Sequence, residues 1–335
     1  MKKLVMMSIV FGVVALWQQF TCAAEGNEVD VNTLTAKQTR FVEETLIEGS
    51  FSGIGIEMAI HKDGLLVKRV LSGGGAEKAG LKADEVITFI EGRPAAGMSL
   101  EQAVGLIKGP AGTKVNLAVM GVDGKSREVL VERMIVLWSG FECREVKDGI
   151  WLIRISAVNK RSAASFRAEV EKLEKGAAKG LILDIRGDKG GHYPEIVEIT
   201  NMFVPKGRIL WFYKPKNGDM EKVRADGNQV VTIPVAVLVD KDTKGCELIA
   251  AALKRNQRAK LIGEKTSGFA AKRDLVKKND GSSEVVVLGT FFYSPVVPIT
   301  GKGIRPDIEL DGSLSEQEII AKAIETLRLG TTDKL

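Results

Sequence analysis

The stretch Gly180-Leu181-Ile182-Leu183-Asp184-Ile185-Arg186-Gly187-Asp188-Lys189-Gly190-Gly191 decides the fold of this chain. Gly180 to Ile185 is a strongly apolar strand, of the kind buried on both faces of a parallel sheet. A glycine-rich loop follows at its carboxyl end, and glycine permits the sharp turn that such a loop needs. Strands and helices alternate around it: a strand over Ile150–Ile155, a helix over Ser162–Lys175, a helix over Pro194–Phe203 and a strand over Ile209–Tyr213. A second buried strand spans Val235–Val239, with a helix from about Gly245 to Lys254. Leu261-Ile262 is a short strand, Val285–Tyr293 a longer one, and Ser315–Leu329 a helix with Ser315 and Glu318 as a capping box. This alternation predicts an α/β layer with crossover connections.

Upstream the texture changes. A helix is expected over Ala36–Leu46. Ser52-Gly53-Ile54-Gly55-Ile56 opens a strand, Asp63-Gly64 marks a turn, and Leu65-Leu66-Val67 reads as a strand. A helical turn at Ala76–Ala79, a strand at Glu85–Ile90 and a helix at Leu100–Ile107, with Ser99 as N-cap, come next. A hairpin around Asp123-Gly124 closes this α+β region near Arg133.

Composition narrows the function classes. The 335 residues suit about two domains. A net charge of +5 with both signs interspersed, and 6% aromatic residues, argue against a nucleic-acid binder. Two histidines, His61 and His192, exclude a His-rich metal site, and three cysteines are too few for a disulfide framework or an all-cysteine zinc site. No metal and no cofactor is expected. Met1-Lys2-Lys3, the apolar Leu4–Trp17 and the small residues to Ala24 form the pattern of a cleavable signal, so residues 1–24 are read as a signal peptide. That places the mature chain in the periplasm or outside the cell; an uncleaved inner-membrane anchor is the alternative. Cys143 and Cys246 would remain, and could pair.

Two resemblances complete the reading. Gly53-Ile54-Gly55-Ile56, with Ala76-Glu77-Lys78-Ala79-Gly80-Leu81-Lys82-Ala83-Asp84-Glu85-Val86-Ile87, resembles the signature of a PDZ domain. The Leu181–Gly191 stretch, Gly263-Glu264-Lys265-Thr266 and Gly301-Lys302-Gly303-Ile304-Arg305-Pro306-Asp307-Ile308 resemble motifs of the carboxyl-terminal processing proteases, the S41 serine peptidases. The implied architecture is a signal peptide (1–24), a short segment (25–48) and a PDZ domain (49–134), a small β-barrel with two helices. An S41-type α/β core of the tail-specific protease, ClpP/crotonase-like kind (135–312) and a C-terminal helix and tail (313–335) complete it. A chain cleaved after Ala24 has about 25 residues before Gly49, fewer than the helical region that family members carry there.

The family uses a serine nucleophile three residues before a glutamate, and a lysine base 25 residues after the serine. With Glu247 setting the register, these positions hold Lys244 and Phe269, and a further aspartate position falls on Arg255. A lysine at the nucleophile position would give a stable amide in place of a labile ester, and phenylalanine accepts no proton. The resemblance therefore implies a pseudoprotease whose possible oxyanion turn, Gly190-Gly191, persists. The alternative is an active serine-type endopeptidase that uses substitutes among Cys246, Thr243, His192 and Lys272. The PDZ region implies binding of protein C-termini, with Gly53, Ile54, Gly55, Ile56, Val104 and Ile107 forming the carboxylate loop and an apolar pocket. Its expected partners are C-terminal peptides of envelope or secreted proteins, and an active protease relative.

Overall fold

The computed structural model describes residues 33–332. The expected signal peptide, with its apolar run and the cleavage position at Ala24, lies outside the described residues. Strand β1 (Thr33–Leu34) leads into helix α1 (Ala36–Phe41), which runs on as a π-helical segment, Val42–Ile47. Thr35 caps α1, accepting from the Gln38 amide while the Gln38 side chain accepts from the Thr35 amide. The sequence predicted one uninterrupted helix here; the wider π winding is a feature that side-chain spacing does not encode.

Residues 50–137 form one unit. It contains β2 (Ser50–Gly53), β3 (Ile56–His61), β4 (Gly64–Val70), α2 (Gly75–Lys78), β5 (Val86–Ile90), β6 (Arg93–Pro94), α3 (Leu100–Ile107), β7 (Lys114–Met120), β8 (Ser126–Glu132) and β9 (Met134–Leu137). The main sheet runs β3-β4-β5-β7-β8, antiparallel throughout, with β6 beside β5. Strand β3 is therefore an edge strand. β2 and β9 pair as a separate ribbon. The sequence stopped this region near Arg133, before β9. Buried Arg133 donates through its guanidinium to the carbonyls of Leu106, Ile107 and Lys114, closing the end of α3, and the chain continues into β9 because that strand pairs with β2. Ile54, Leu65, Ile87, Ile90, Val115 and Leu117 fill the core.

The larger unit joins the 33–49 segment to residues 138–332. Its elements are β10 (Phe141–Lys147), β11 (Ile150–Ile155), α4 (Ser162–Lys175), β12 (Gly180–Asp184), α5 (Tyr193–Asn201), β13 (Ile209–Pro215), β14 (Glu221–Arg224) and β15 (Val235–Val239). They are followed by α6 (Glu247–Arg255), β16 (Ala259–Gly263), β17 (Ala271–Lys277), β18 (Ser283–Ser294), β19 (Val297–Pro298), β20 (Ile308–Glu309) and α7 (Glu316–Thr332). One sheet runs β10-β11-β12-β15-β16-β20, parallel from β11 onward, with β10 antiparallel at its edge.

Successive residues of β12 enter different cores, as the two-residue period of a strand requires. Leu181 and Leu183 pack with Phe166 of α4, Ile199 of α5 and Ile249 of α6. Ile182 packs with Ala236, Leu238 and Ile262, and with Ala323 and Leu327 of α7. Burial on both faces is what makes Gly180–Ile185 a continuous apolar run. A second sheet runs β1-β18-β13-β14, with β17 and β19 also on β18. Its strands β14 and β17 read Glu-Lys-Val-Arg and Ala-Lys-Arg-Asp-Leu-Val-Lys. Neither carries a strand signal strong enough to expect from sequence. No described helix is long and apolar enough to cross a membrane.

Candidate functional site

In the larger unit, neighbouring parallel strands β12, β15 and β16 each end in a loop at the same edge of the sheet. Two buried carboxylates hold these three loops together. Asp188, from the loop after β12, accepts from the amides of Gly190 (2.7 Å), Lys244 (2.6 Å) and Cys246 (3.0 Å). Glu247, at the start of α6, accepts from Gly268 (2.5 Å) and Ala270 (2.8 Å) in the loop after β16. Burial pushes both carboxyls up, that of Glu247 to about 7, against the lowering effect of those amides and of Thr266. Ser267 adds a third tie, donating from its hydroxyl to the carbonyl of Thr243 (2.7 Å) and accepting from the Phe269 amide.

The Gly190-Gly191 turn packs directly on Gly245. A Cβ on Gly245 would stand 2.4 Å from the Gly190 Cα, and one on Gly191 would stand 1.8 Å from the Val158 carbonyl oxygen. Both turn glycines have positive φ, +73° and +142°. Lys244 thus lies beside the turn, and is only 6% exposed. Its ammonium Nζ stands 5.5 Å from the centre of the Phe269 ring. Burial lowers the Lys244 pKa, and the charge of Lys189 lowers it further, while Asp242 and Asp188 act the other way. On the same ring the guanidinium carbon of Arg273 stands 4.0 Å from the centroid, and Arg273 donates to the Phe269 carbonyl.

The structure therefore brings together Lys244, Phe269, Gly190 and Gly191. It draws the remaining candidates into other contacts. Arg255, at the end of α6, lies over the rings of Phe212 and Tyr293 and donates to the Tyr293 carbonyl, tying the helix to the second sheet. The Thr243 hydroxyl lies 3.1 Å from the Ile185 carbonyl and 3.0 Å from Asp240 Oδ1, and accepts from the Asp240 amide. Cys246 is fully buried, with a thiol pushed well above its ordinary pKa by burial and by Asp188. It is a free cysteine, as is Cys143, so the two are not paired.

His192 meets Glu195, Lys160 and Glu48 electrostatically, and burial lowers its pKa. Its Nδ1 is buried with no hydrogen-bond partner among the described residues. Lys272 Nζ sits 5.3 Å and 5.2 Å from the ring centres of Tyr193 and Tyr213. No group of metal-ligating side chains gathers among the described residues. Sequence reasoning passed over Asp188, Ser267 and Arg273. Asp188 carried a usable signal, an acidic residue in a glycine turn just after a buried strand.

In the smaller unit, Gly53-Ile54-Gly55-Ile56 links β2 to β3. The carbonyl of Ile54 accepts from Ala76 and that of Gly55 accepts from Leu71, each at 2.8 Å. In a trans peptide the N–H points opposite to the C=O. The amides of Gly55 and Ile56 thus point away from Ala76 and Leu71. Gly55 has φ +78°, which a side chain rarely tolerates. Ile54, Ile56 and Ile107 are buried in the unit's core, and Val104 packs against it half-buried. Ser52 donates to the Gly109 carbonyl, just past α3.

The domain model of the PDZ domain matches residues 44–120, and that of peptidase family S41 matches residues 149–310. The carboxy-terminal processing protease CtpA of Bacillus subtilis (strain 168) is 31% identical over 277 residues, 82% of this chain and 59% of the relative. A probable CtpA-like serine protease of Staphylococcus aureus (strain COL) is 27% identical over 305 residues, 90% of this chain and 61% of the relative. The chain thus spans about three fifths of the length of these curated relatives. Among solved structures, a putative S41 protease from Bacteroides fragilis NCTC 9343 aligns with a TM-score of 0.55 at 15% identity, covering 86% of this chain and 85% of that one. At that identity the likeness concerns the fold.

Proposed function

The chain belongs to the PDZ-containing S41 peptidases, the family of the carboxyl-terminal processing proteases, and on that premise we propose that it is a pseudoprotease. It binds protein C-termini through its PDZ domain and does not hydrolyse them. The observation that carries this reading is the pair Lys244 and Phe269 at the positions where the family holds its nucleophile and its base. Their side chains stand 5.5 Å apart, so the loops that would assemble a dyad bring an ammonium and a benzyl ring together instead. Neither group can attack and release a peptide carbonyl.

The contacts of the alternative nucleophiles add support. Thr243 spends its hydroxyl inside its own turn, and Cys246 has a buried, high-pKa thiol when a reactive one needs the reverse. Peptide capture is supported by the open edge of β3 and by the outward-pointing amides of Gly55 and Ile56, which suit a strand ending in a carboxylate. Apolar Val104 and Ile107 on α3 favour a hydrophobic last residue. Signal cleavage after Ala24, and hence a periplasmic or secreted location, is part of the proposal. The N-terminal sequence of the protein recovered from cells tests it, and an intact Met1 end would argue for an anchor.

The activity test uses the purified chain with an unstructured protein substrate and a fluorogenic peptide library, read by mass spectrometry. No cleavage above the buffer blank is expected. Cleavage that disappears in Cys246→Ala or Thr243→Ala would overturn the reading.

A further inference from the structure

We propose that Ile60 is a specificity-determining residue of the smaller unit: it reads the fifth residue from a peptide's free C-terminus, position −4, and selects an apolar side chain there. The inference rests on the reading of this unit as a binder of C-termini. It goes beyond that reading by extending recognition from the last residue to a tail of five.

Three observations carry it. The first is register. Strand β3 pairs with β4 on one side only, so its other edge is open. Met58 stands opposite Val67, and Ile60 opposite Leu65. Directly opposed residues share a face of the sheet. Val67 and Leu65 are fully buried, so Met58 and Ile60 both belong to the core face, as does Ile56 two residues earlier. The bulge between Glu57 and Met58 places its extra residue, Lys68, on β4 and leaves the alternation of β3 intact.

The second is exposure. Ile56 and Met58 are buried, whereas Ile60 is 65% exposed on the same face. Ser52 donates to the Gly109 carbonyl, which sets the C-terminal end of α3 beside the Gly53–Ile56 loop. The bare side chain of Ile60 marks where cover of that face stops, at the far end of β3 from the loop.

The third is charge. Glu57 and Arg69 pair at 2.6 Å on the opposite face. Ser99 and Gln102 are taken up by the cap of α3, and His61 accepts from the Asp63 amide in the turn beyond β3. The row Ile56, Met58, Ile60 is apolar throughout. A peptide added antiparallel to the open edge, with its carboxylate on the Gly55 and Ile56 amides, sets residue −2 opposite Met58 and residue −4 opposite Ile60. An apolar side chain at −4 then lies on the same face as Ile60 and shields it from water.

The test is fluorescence anisotropy with the full chain and labelled peptides. The parent is Ser-Gly-Leu-Ser-Val-Ser-Leu, with leucine at −4. The others carry serine or lysine at −4, or end the parent in a C-terminal amide. The parent should bind about three- to tenfold tighter than the serine peptide, the gain expected for partly burying one leucine. Ile60→Ser should remove that preference and leave affinity for the serine peptide unchanged. Ile60→Asp should bind the lysine peptide more tightly than the parent. Both substitutions fall on an exposed side chain, so both variants should fold as wild type does.

Binding that needs the free carboxylate but ignores residue −4 would overturn this proposal and leave the C-terminus reading standing. So would a leucine preference that survives in both variants. Equal binding of the amide, or no binding of any of these peptides, would overturn both.

Discussion

Replacing Glu247 with glutamine should flatten a pH dependence of stability that wild type carries between about pH 4.5 and 7. Glu247 is fully buried, and burial lifts its pKa from an ordinary 4.5 to about 7. Its folded-state pKa lies above the unfolded value, so folding favours the protonated form. The stabilising contribution is complete below about pH 4.5 and is lost as pH rises through about 7. The difference between those two values is worth ~3 kcal/mol when fully expressed, at ~1.4 kcal/mol per pH unit. Asp188 is raised by burial as well, so a slope of the same sign remains in Glu247→Gln.

The glutamine can present an oxygen to only one of the two amides that Glu247 receives from Gly268 and Ala270. The variant is therefore ~1–3 kcal/mol less stable at low pH, where wild type has its full advantage. The assay is urea unfolding followed by tryptophan fluorescence at half-unit steps from pH 4.5 to 8. Trp138, Trp151 and Trp211 all lie in the larger unit, and a Trp17→Phe background confines the signal to it. A wild type whose stability does not fall across that range would refute the reasoning. So would a Glu247→Gln slope as steep as that of wild type.

Gly245→Ala should destabilise the larger unit by ~2 kcal/mol or more in the same urea assay, because its Cβ must displace the backbone of Gly190; an unchanged midpoint would mean that the two loops do not touch. Cys246 should resist iodoacetamide at pH 8 in the folded chain and react once urea unfolds it, as counted by intact mass; Cys143, with a thiol pushed up to about 12, should also react slowly. In the smaller unit Arg127 binds Glu85 through both carboxylate oxygens, at 2.7 Å and 3.0 Å. Arg127→Ala should cost ~2 kcal/mol, read as faster hydrogen exchange at Val86–Ile90. Burial opposes ionisation of Glu85, but its Arg127 and Lys82 bonds prevail and its pKa is lowered, so in wild type this support should be lost as pH falls below about 4.5. Val104→Asp, at a half-buried position on α3, should abolish binding of peptides with a free hydrophobic C-terminus, measured by fluorescence anisotropy; binding as tight as wild type would remove Val104 from the peptide site.

The buried strands were legible because their physics is local. Gly180–Ile185 and Val235–Val239 are apolar on both faces, and only the middle of a covered sheet calls for that. The helix at Leu100–Ile107 was readable to the residue from Ser99, whose side chain caps the Gln102 amide. Strands β14 and β17 were not readable, since their stability comes from β13 and β18, distant in sequence, and not from their own polar residues. The same holds at the junction. The family resemblance placed Lys244 and Phe269 in register, and the two stand together in space. The grip of Asp188 on three amides, and the seat of Arg273 on the Phe269 ring, join segments more than 50 residues apart in one case and only four apart in the other. Neither follows from a motif.

Asp188 and Ser267 hold the chain at positions 244 and 269 through backbone amides, which every residue except proline possesses. These backbone ties are thus indifferent to which side chain is attached. A lineage can exchange one side chain and later the other without giving up these ties. What an exchange costs in stability is then set by the packing of the side chains themselves, such as the contacts of Lys244 and Arg273 with the Phe269 ring, and not by the ties.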